Sequence, residues 1–147
     1  MKRIIKKLFG NKKTFNVSFQ EAMDLCELPI ITFKNNNRKV NFMLDTGSNN
    51  SIISVETAKE LKKEPSGDMN TILSISNEKL SGEGYTITFY YKDYKFTDVF
   101  FIADIGKVFE RLKERTGVQV HGILGVDFFR KYNYVLDFDE LKAYIKK

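Results

Sequence analysis

The chain has 147 residues, 42% hydrophobic and 29% charged, enough for one domain with a substantial core and too few for two full ones. Its net charge of +5 comes from 24 basic and 19 acidic residues. Six of the cations fall in residues 1–13, which hold no acid, so the body is near neutral and composition gives no argument for a nucleic-acid-binding domain. The longest unbroken apolar run, Val99–Ala103, is far short of the roughly 18 residues a spanning helix needs.

Residues 1–16 read as a basic tail appended to a domain over 17–147. On a helix, Ile4, Ile5, Leu8 and Phe9 fall on one side and Lys2, Arg3, Lys6 and Lys7 on the other. The tail is read as solvated, with a weak contact to a membrane surface through residues 1–13 as the alternative. Ser18 and Glu21 have capping-box spacing and start a helix over Phe19–Leu25. Strands follow at Ile30–Lys34 and Lys39–Leu44 around an Asn35-Asn36-Asn37 turn, then a short one at Ile52-Ile53. Ser54 caps a helix expected to reach Lys63, closed by Pro65-Ser66-Gly67-Asp68. Thr71–Ser76, Tyr85–Lys92 and Lys95–Ala103 read as strands, and Lys107–Arg115 as a helix. Ile123-Leu124-Gly125 precedes a helix over Val126–Lys131, and Val135–Phe138 with Lys142–Ile145 makes a last hairpin. With 14% aromatic residues and no Trp, the composition favours a mainly β domain with short helices.

Chemistry concentrates at Asp45-Thr46-Gly47-Ser48, where a carboxylate leaves an apolar strand. Gly47 permits a tight turn that brings amide hydrogens near it, and the hydroxyls of Thr46 and Ser48 can hold the geometry. Taken alone, the string also fits an Asx turn at a strand end. Eighty residues downstream stands Ile123-Leu124-Gly125-Val126-Asp127, a second motif in a fixed order with the first.

These two motifs, with Pro29–Lys34 and Val40–Ser48 around the first, make the chain resemble the retropepsin-like aspartic proteases over most of residues 28–145. The resemblance is closer to the cellular and bacterial members than to the viral ones, and it implies a closed, barrel-like single lobe with one active site per homodimer. It further implies an aspartic endopeptidase in which Asp45 and its copy activate water, with Thr46, Gly47 and Ser48 as support. Residues 74–91 would hold the flap that covers an extended peptide or protein substrate, with Gly82, Glu83 and Gly84 at its mobile tip. Ile123, Leu124 and Gly125 would form the family's apolar-Gly element, and Asp127 a structural hydrogen bond. No cofactor, no metal and no nucleic acid are expected.

Asp104-Ile105-Gly106 also leaves an apolar strand but lacks the hydroxyl residue, and pairing it with Asp45 would need two lobes. Asp45 is therefore expected to meet its own copy across a two-fold axis. The alternative is a non-catalytic retropepsin-like module that binds a peptide without cutting it; phosphoryl transfer fits poorly, since no parallel βαβ pattern surrounds Asp45. His121 reads as a polar loop residue and Cys26 as a small buried hydrophobe. A lone cysteine and the absence of signal-peptide features in MKRIIKKLFG point to a reducing, cytoplasmic setting.

Overall fold

Alternation of apolar and polar side chains along the strands folds the chain around a ring of phenylalanines. The computed structural model describes residues 17–73 and 79–147. In chain order they form α1 (Phe19–Cys26), β1 (Ile30–Asn35), β2 (Arg38–Leu44), β3 (Ile52–Ser54), α2 (Val55–Ala58), β4 (Glu64–Leu73) and β5 (Lys79–Tyr91). Next come β6 (Tyr94–Ala103), α3 (Gly106–Thr116), β7 (Gly122–Leu124), α4 (Val126–Lys131), β8 (Tyr134–Asp137) and β9 (Lys142–Ile145). The amphipathic reading of the tail, and the end of the strand expected over Thr71–Ser76, lie outside the described residues.

The main sheet runs β1-β2-β7-β3-β6-β5-β4 and closes through a β1–β5 pairing at Lys34↔Tyr90, so six strands form a barrel with β4 on its edge. The β2–β7 and β3–β6 pairs are parallel; β8 and β9 make a separate hairpin.

Period two along each strand sorts the side chains. Phe33, Val40, Phe42, Ile53, Phe89, Phe96 and Phe100 join Phe128 of α4 in one buried cluster. Phe33 is fully buried and stands within 5.2–6.4 Å, centroid to centroid, of Phe42, Phe89, Tyr91, Phe96 and Phe128. Many of these pairs are edge-on or tilted, as the ring quadrupole favours. A second cluster, including Ala22 of α1, Ile30, Ile52, Phe101 and Phe109 of α3, packs against the other side of the same strands. Strands covered on both sides carry continuous apolar runs such as Val99–Ala103.

Most elements match the expectation, including the capping box. The Ser18 hydroxyl accepts from Glu21 N–H at 3.2 Å and the Glu21 carboxylate from Ser18 N–H at 2.8 Å. The helix after Ser54 is shorter than expected and ends at Ala58. Asn35 explains the break: its carbonyl oxygen accepts from Lys62 N–H at 2.9 Å, and its amide donates to the carbonyls of Lys62 (3.2 Å) and Thr88 (3.0 Å). The chain is thereby pinned to the barrel before a second helical turn can form. Pro65-Ser66-Gly67-Asp68 is not a closing loop but an irregularity inside β4, where the register with β5 shifts. Gly67 takes φ +83° there, and Pro65 is tolerated because β4 is an edge strand.

Replacing Phe33 by Ala should empty the centre of this cluster and cost about 3–5 kcal/mol. Denaturant unfolding checks this, the midpoint falling while the slope is kept.

Candidate active site

Asp45 follows the last residue of β2, and its backbone N–H donates to Leu124 O of the parallel neighbour β7 at 3.0 Å. The chain then turns back on itself. Gly47 N–H donates to Asp45 Oδ1 at 2.8 Å, and Ser48 N–H to the Asp45 carbonyl at 3.2 Å. A Cβ on Gly47 would sit 3.1 Å from that same Oδ1, so glycine lets the amide approach the carboxylate. The carboxylate is partly exposed and Thr46 is exposed. The Ser48 hydroxyl donates to Asn50 O at 2.7 Å, within the same loop.

The downstream motif forms the floor of this loop. Gly125 packs so tightly that a Cβ would lie 2.7 Å from the carbonyl oxygens of both Ser48 and Asn50. Val126 N–H donates to Ser48 O at 2.8 Å and Asp127 N–H to Asn49 O at 3.3 Å. Asp127 then clamps the far side: Oδ2 accepts from Ser51 N–H at 2.9 Å and Oδ1 from the Ser51 hydroxyl at 2.8 Å. The Ser51 oxygen in turn accepts from Gly125 N–H at 3.0 Å. Asp45 through Ser48 and Ile123 through Gly125 are thus joined into one unit, and Asp127 makes the structural hydrogen bonds expected of it. Ser51 escaped notice in the sequence; its cue was its place just before the apolar Ile52-Ile53 strand, where a buried hydroxyl needs a partner.

Gly82, Glu83 and Gly84 lie elsewhere. They are not the tip of the β4–β5 hairpin but lie along its β5 arm, Gly82 and Glu83 paired with Asn70 and Met69 of β4 and Gly84 with Phe101 of β6. Small residues are needed because the strand crosses its neighbours here: a Cβ on Gly82 would be 2.5 Å from Ile102 O, and one on Gly84 2.7 Å from the Ser66 hydroxyl. Residues 74–78, which link β4 to β5, lie outside the described residues.

His121 is a core residue rather than a polar loop residue, only 4% exposed. Its Nδ1 accepts from Asn41 N–H at 2.9 Å, and its own backbone N–H donates to Asn41 O at 2.8 Å. The Asn41 side chain accepts from the Thr32 hydroxyl at 2.7 Å and donates to Gln119 O at 2.8 Å. Burial, with the nearby charges of Arg38 and Lys113, pushes the imidazole down to about 4. Cys26 is partly buried, its thiol donating to Ala22 O at 3.2 Å and pushed up by desolvation. Asp104 is an exposed strand-exit residue. Concavities of about 390, 310 and 420 Å³ on the described surface are lined by residues other than Asp45.

A family model described as aspartyl protease matches residues 31–128, from β1 into α4. That is two-thirds of the chain, which belongs to this family. Comparison with curated proteins gives no match. Among solved structures, the retroviral protease-like domain of Ddi1 from Leishmania major is 12% identical, with a TM-score of 0.56, covering 82% of this chain and 89% of its own. EIAV protease, solved in complex with the inhibitor HBY-793, is 18% identical with a TM-score of 0.56, covering 78% of this chain and 97% of its own. At these identities the likeness establishes the fold, a retropepsin-like barrel.

Two expectations follow. Asp127→Ala leaves two Ser51 donors without their acceptor and should cost about 2–4 kcal/mol, while Asp127→Asn, which keeps one acceptor, should cost less; thermal melts of both variants check this. For His121, the folded value of about 4 lies below the ordinary 6.5 of the unfolded chain. Above pH 6.5 neither state binds the proton; between 6.5 and 4 only the unfolded chain does. Stability should therefore fall by about 3 kcal/mol as pH drops through that window. His121→Asn, which places an acceptor near the Nδ1 position without titrating, should flatten that part of the pH–stability curve measured by denaturant titration.

Proposed function

We propose that the chain is an aspartic endopeptidase acting as a homodimer, with one Asp45 from each protomer flanking a catalytic water. The observation that carries this reading is the Asp45 carboxylate itself. It is partly exposed on a loop braced by Gly125 and Asp127, and it accepts the Gly47 amide at 2.8 Å. Membership of the aspartyl protease family supports hydrolysis of peptide bonds, and a one-lobe chain has one D-T-G to contribute.

Two carboxylates brought within a hydrogen bond of each other cannot both ionise comfortably and share one proton. The ionised one takes a proton from water as the water oxygen attacks the peptide carbonyl carbon. The protonated one donates to the carbonyl oxygen, giving a tetrahedral diol. Collapse of the diol breaks the C–N bond, and the departing nitrogen receives the proton the base had taken. The backbone donor at Gly47 stays fixed throughout and orients the carboxylate, so little reorganisation accompanies the reaction. An extended peptide fits such a site, held under the β4–β5 hairpin.

The test is incubation with a diverse peptide pool from pH 3 to 7. Cleavage should follow a bell in pH, because the pair works only when singly protonated. Asp45→Asn should lower it by roughly a thousandfold or more while leaving the melting temperature nearly unchanged. Peptide binding without cleavage at any pH would instead favour a non-catalytic module, and cleavage retained in Asp45→Asn would remove Asp45 from the chemistry.

A further inference from the structure

A concavity of about 390 Å³ lies between α2, α3 and the segment that leads into β7, a size that suits a small ligand. Gly106, Phe109, Glu110 and Lys113 line it from α3, at the spacing that puts residues on one face of a helix. Asp45 is not among its lining residues. His121, on its floor, stands four residues before Gly125, about 13 Å along the strand. The cavity therefore lies at the far end of β7 from the Asp45 loop.

That floor holds a hydrogen-bond donor without an acceptor. His121 is buried, and its Nδ1 accepts from Asn41 N–H at 2.9 Å. A neutral imidazole that accepts at one nitrogen carries its proton on the other, so Nε2–H is a donor, and no described residue accepts from it. Asn41 closes the Nδ1 side of the ring, which leaves the Nε2 side to the cavity that His121 lines. The charges that act on the ring are the cations of Arg38 and Lys113. Arg38 is engaged by Glu60 at 2.7 Å, whereas Lys113 enters no ion pair among the described residues. This end of the cavity is set for an anionic acceptor.

The other end is acidic. A Cβ on Gly106 would stand 3.0 Å from Glu56 Oε2, so that carboxylate lies against the first turn of α3. Glu110, one turn on, leans back toward Gly106, as helical side chains do. Neither acid enters an ion pair among the described residues. Lys113 is seven residues beyond Gly106, about 10 Å of helix, and that length separates the donor end from the acid end.

We propose that this cavity binds a short peptide with free termini, its carboxylate on His121 Nε2–H and Lys113 and its ammonium between Glu56 and Glu110. A tripeptide has the right reach, since three extended residues span about 10 Å. The two free acids select against a simple anion, which they repel. His121 selects against a simple cation, because its cavity-facing nitrogen can only donate. A ligand charged oppositely at its two ends satisfies both.

The test is NMR of the full chain near neutral pH, carrying Asp45→Asn so that no cleavage intervenes. His121 is the one histidine in the sequence, so a single imidazole Hε1 resonance reports on the floor of the cavity. Triglycine should move that resonance saturably, with a Kd of about 1 mM. Triglycine amide, which lacks the carboxylate, and N-acetyl-triglycine, which lacks the ammonium, should each bind about tenfold more weakly. Lys113→Gln should weaken triglycine about tenfold and leave triglycine amide unchanged. Glu56→Gln/Glu110→Gln should weaken triglycine by a similar factor without weakening N-acetyl-triglycine. If either variant fails to fold by circular dichroism, the comparison of the three peptides on the parent chain still decides. Equal binding of the three peptides, acetate binding as tightly as triglycine, variants that change nothing, or no shift of the resonance at about 50 mM triglycine would each overturn the proposal.

Discussion

The position of Asp45 depends on one contact, the seating of its loop on the backbone of Gly125. Two carbonyl oxygens of the loop stand 2.7 Å from where a Cβ at residue 125 would be, so the approach requires glycine. Three backbone hydrogen bonds, from Asp45, Val126 and Asp127, then bind the loop to the β7–α4 turn. Asp127 locks the arrangement by accepting both donors of Ser51. The Asp45 loop is thus held by main chain and by the partly buried Asp127 carboxylate. Such a frame can hold a partly exposed carboxylate without letting it wander.

The barrel exists to present that frame. β2 and β7 run parallel side by side, so the residue that leaves one and the glycine that leaves the other emerge at the same end. The phenylalanine cluster fills the space behind them. Part of the polar matter inside the fold forms a connected set, Val17–Thr32–Asn41–His121 with the Gln119 carbonyl, in which each hydrogen bond meets a partner on another segment. Buried polar groups are tolerated when satisfied in this way. The same network ties Val17 to β1 through Thr32.

Much of this was legible in the amino-acid sequence because it follows from local rules. Capping at Ser18, alternation in β5 and β6, the Asn36-Asn37 turn and the Asp45–Gly47 loop each depend on residues a few positions apart. The paired motifs around Asp45 and Gly125 were legible through their order and spacing, and they carried the family. What escaped depends on distant partners. Asn35 ends α2 by reaching Lys62 and Thr88, contacts that helix propensity cannot anticipate. His121 reads as polar until Asn41, eighty positions away, supplies its donor. Gly82 and Gly84 suggested a mobile tip because glycine commonly marks turns; they serve instead where β5 passes too close to Ile102 and Ser66 for any side chain.

In the function proposed above, the framed Asp45 carboxylate is half of a catalytic pair whose other half comes from a second copy of the chain. Subunit mixing tests this most directly. Wild-type chain is mixed with increasing Asp45→Asn chain at constant total concentration, under conditions that allow exchange, and peptide cleavage is followed. If one Asp45 from each protomer is required, activity falls as the square of the wild-type fraction, because every mixed dimer is inactive. A fall linear in that fraction would show that a single chain carries its own complete site, and would contradict the account.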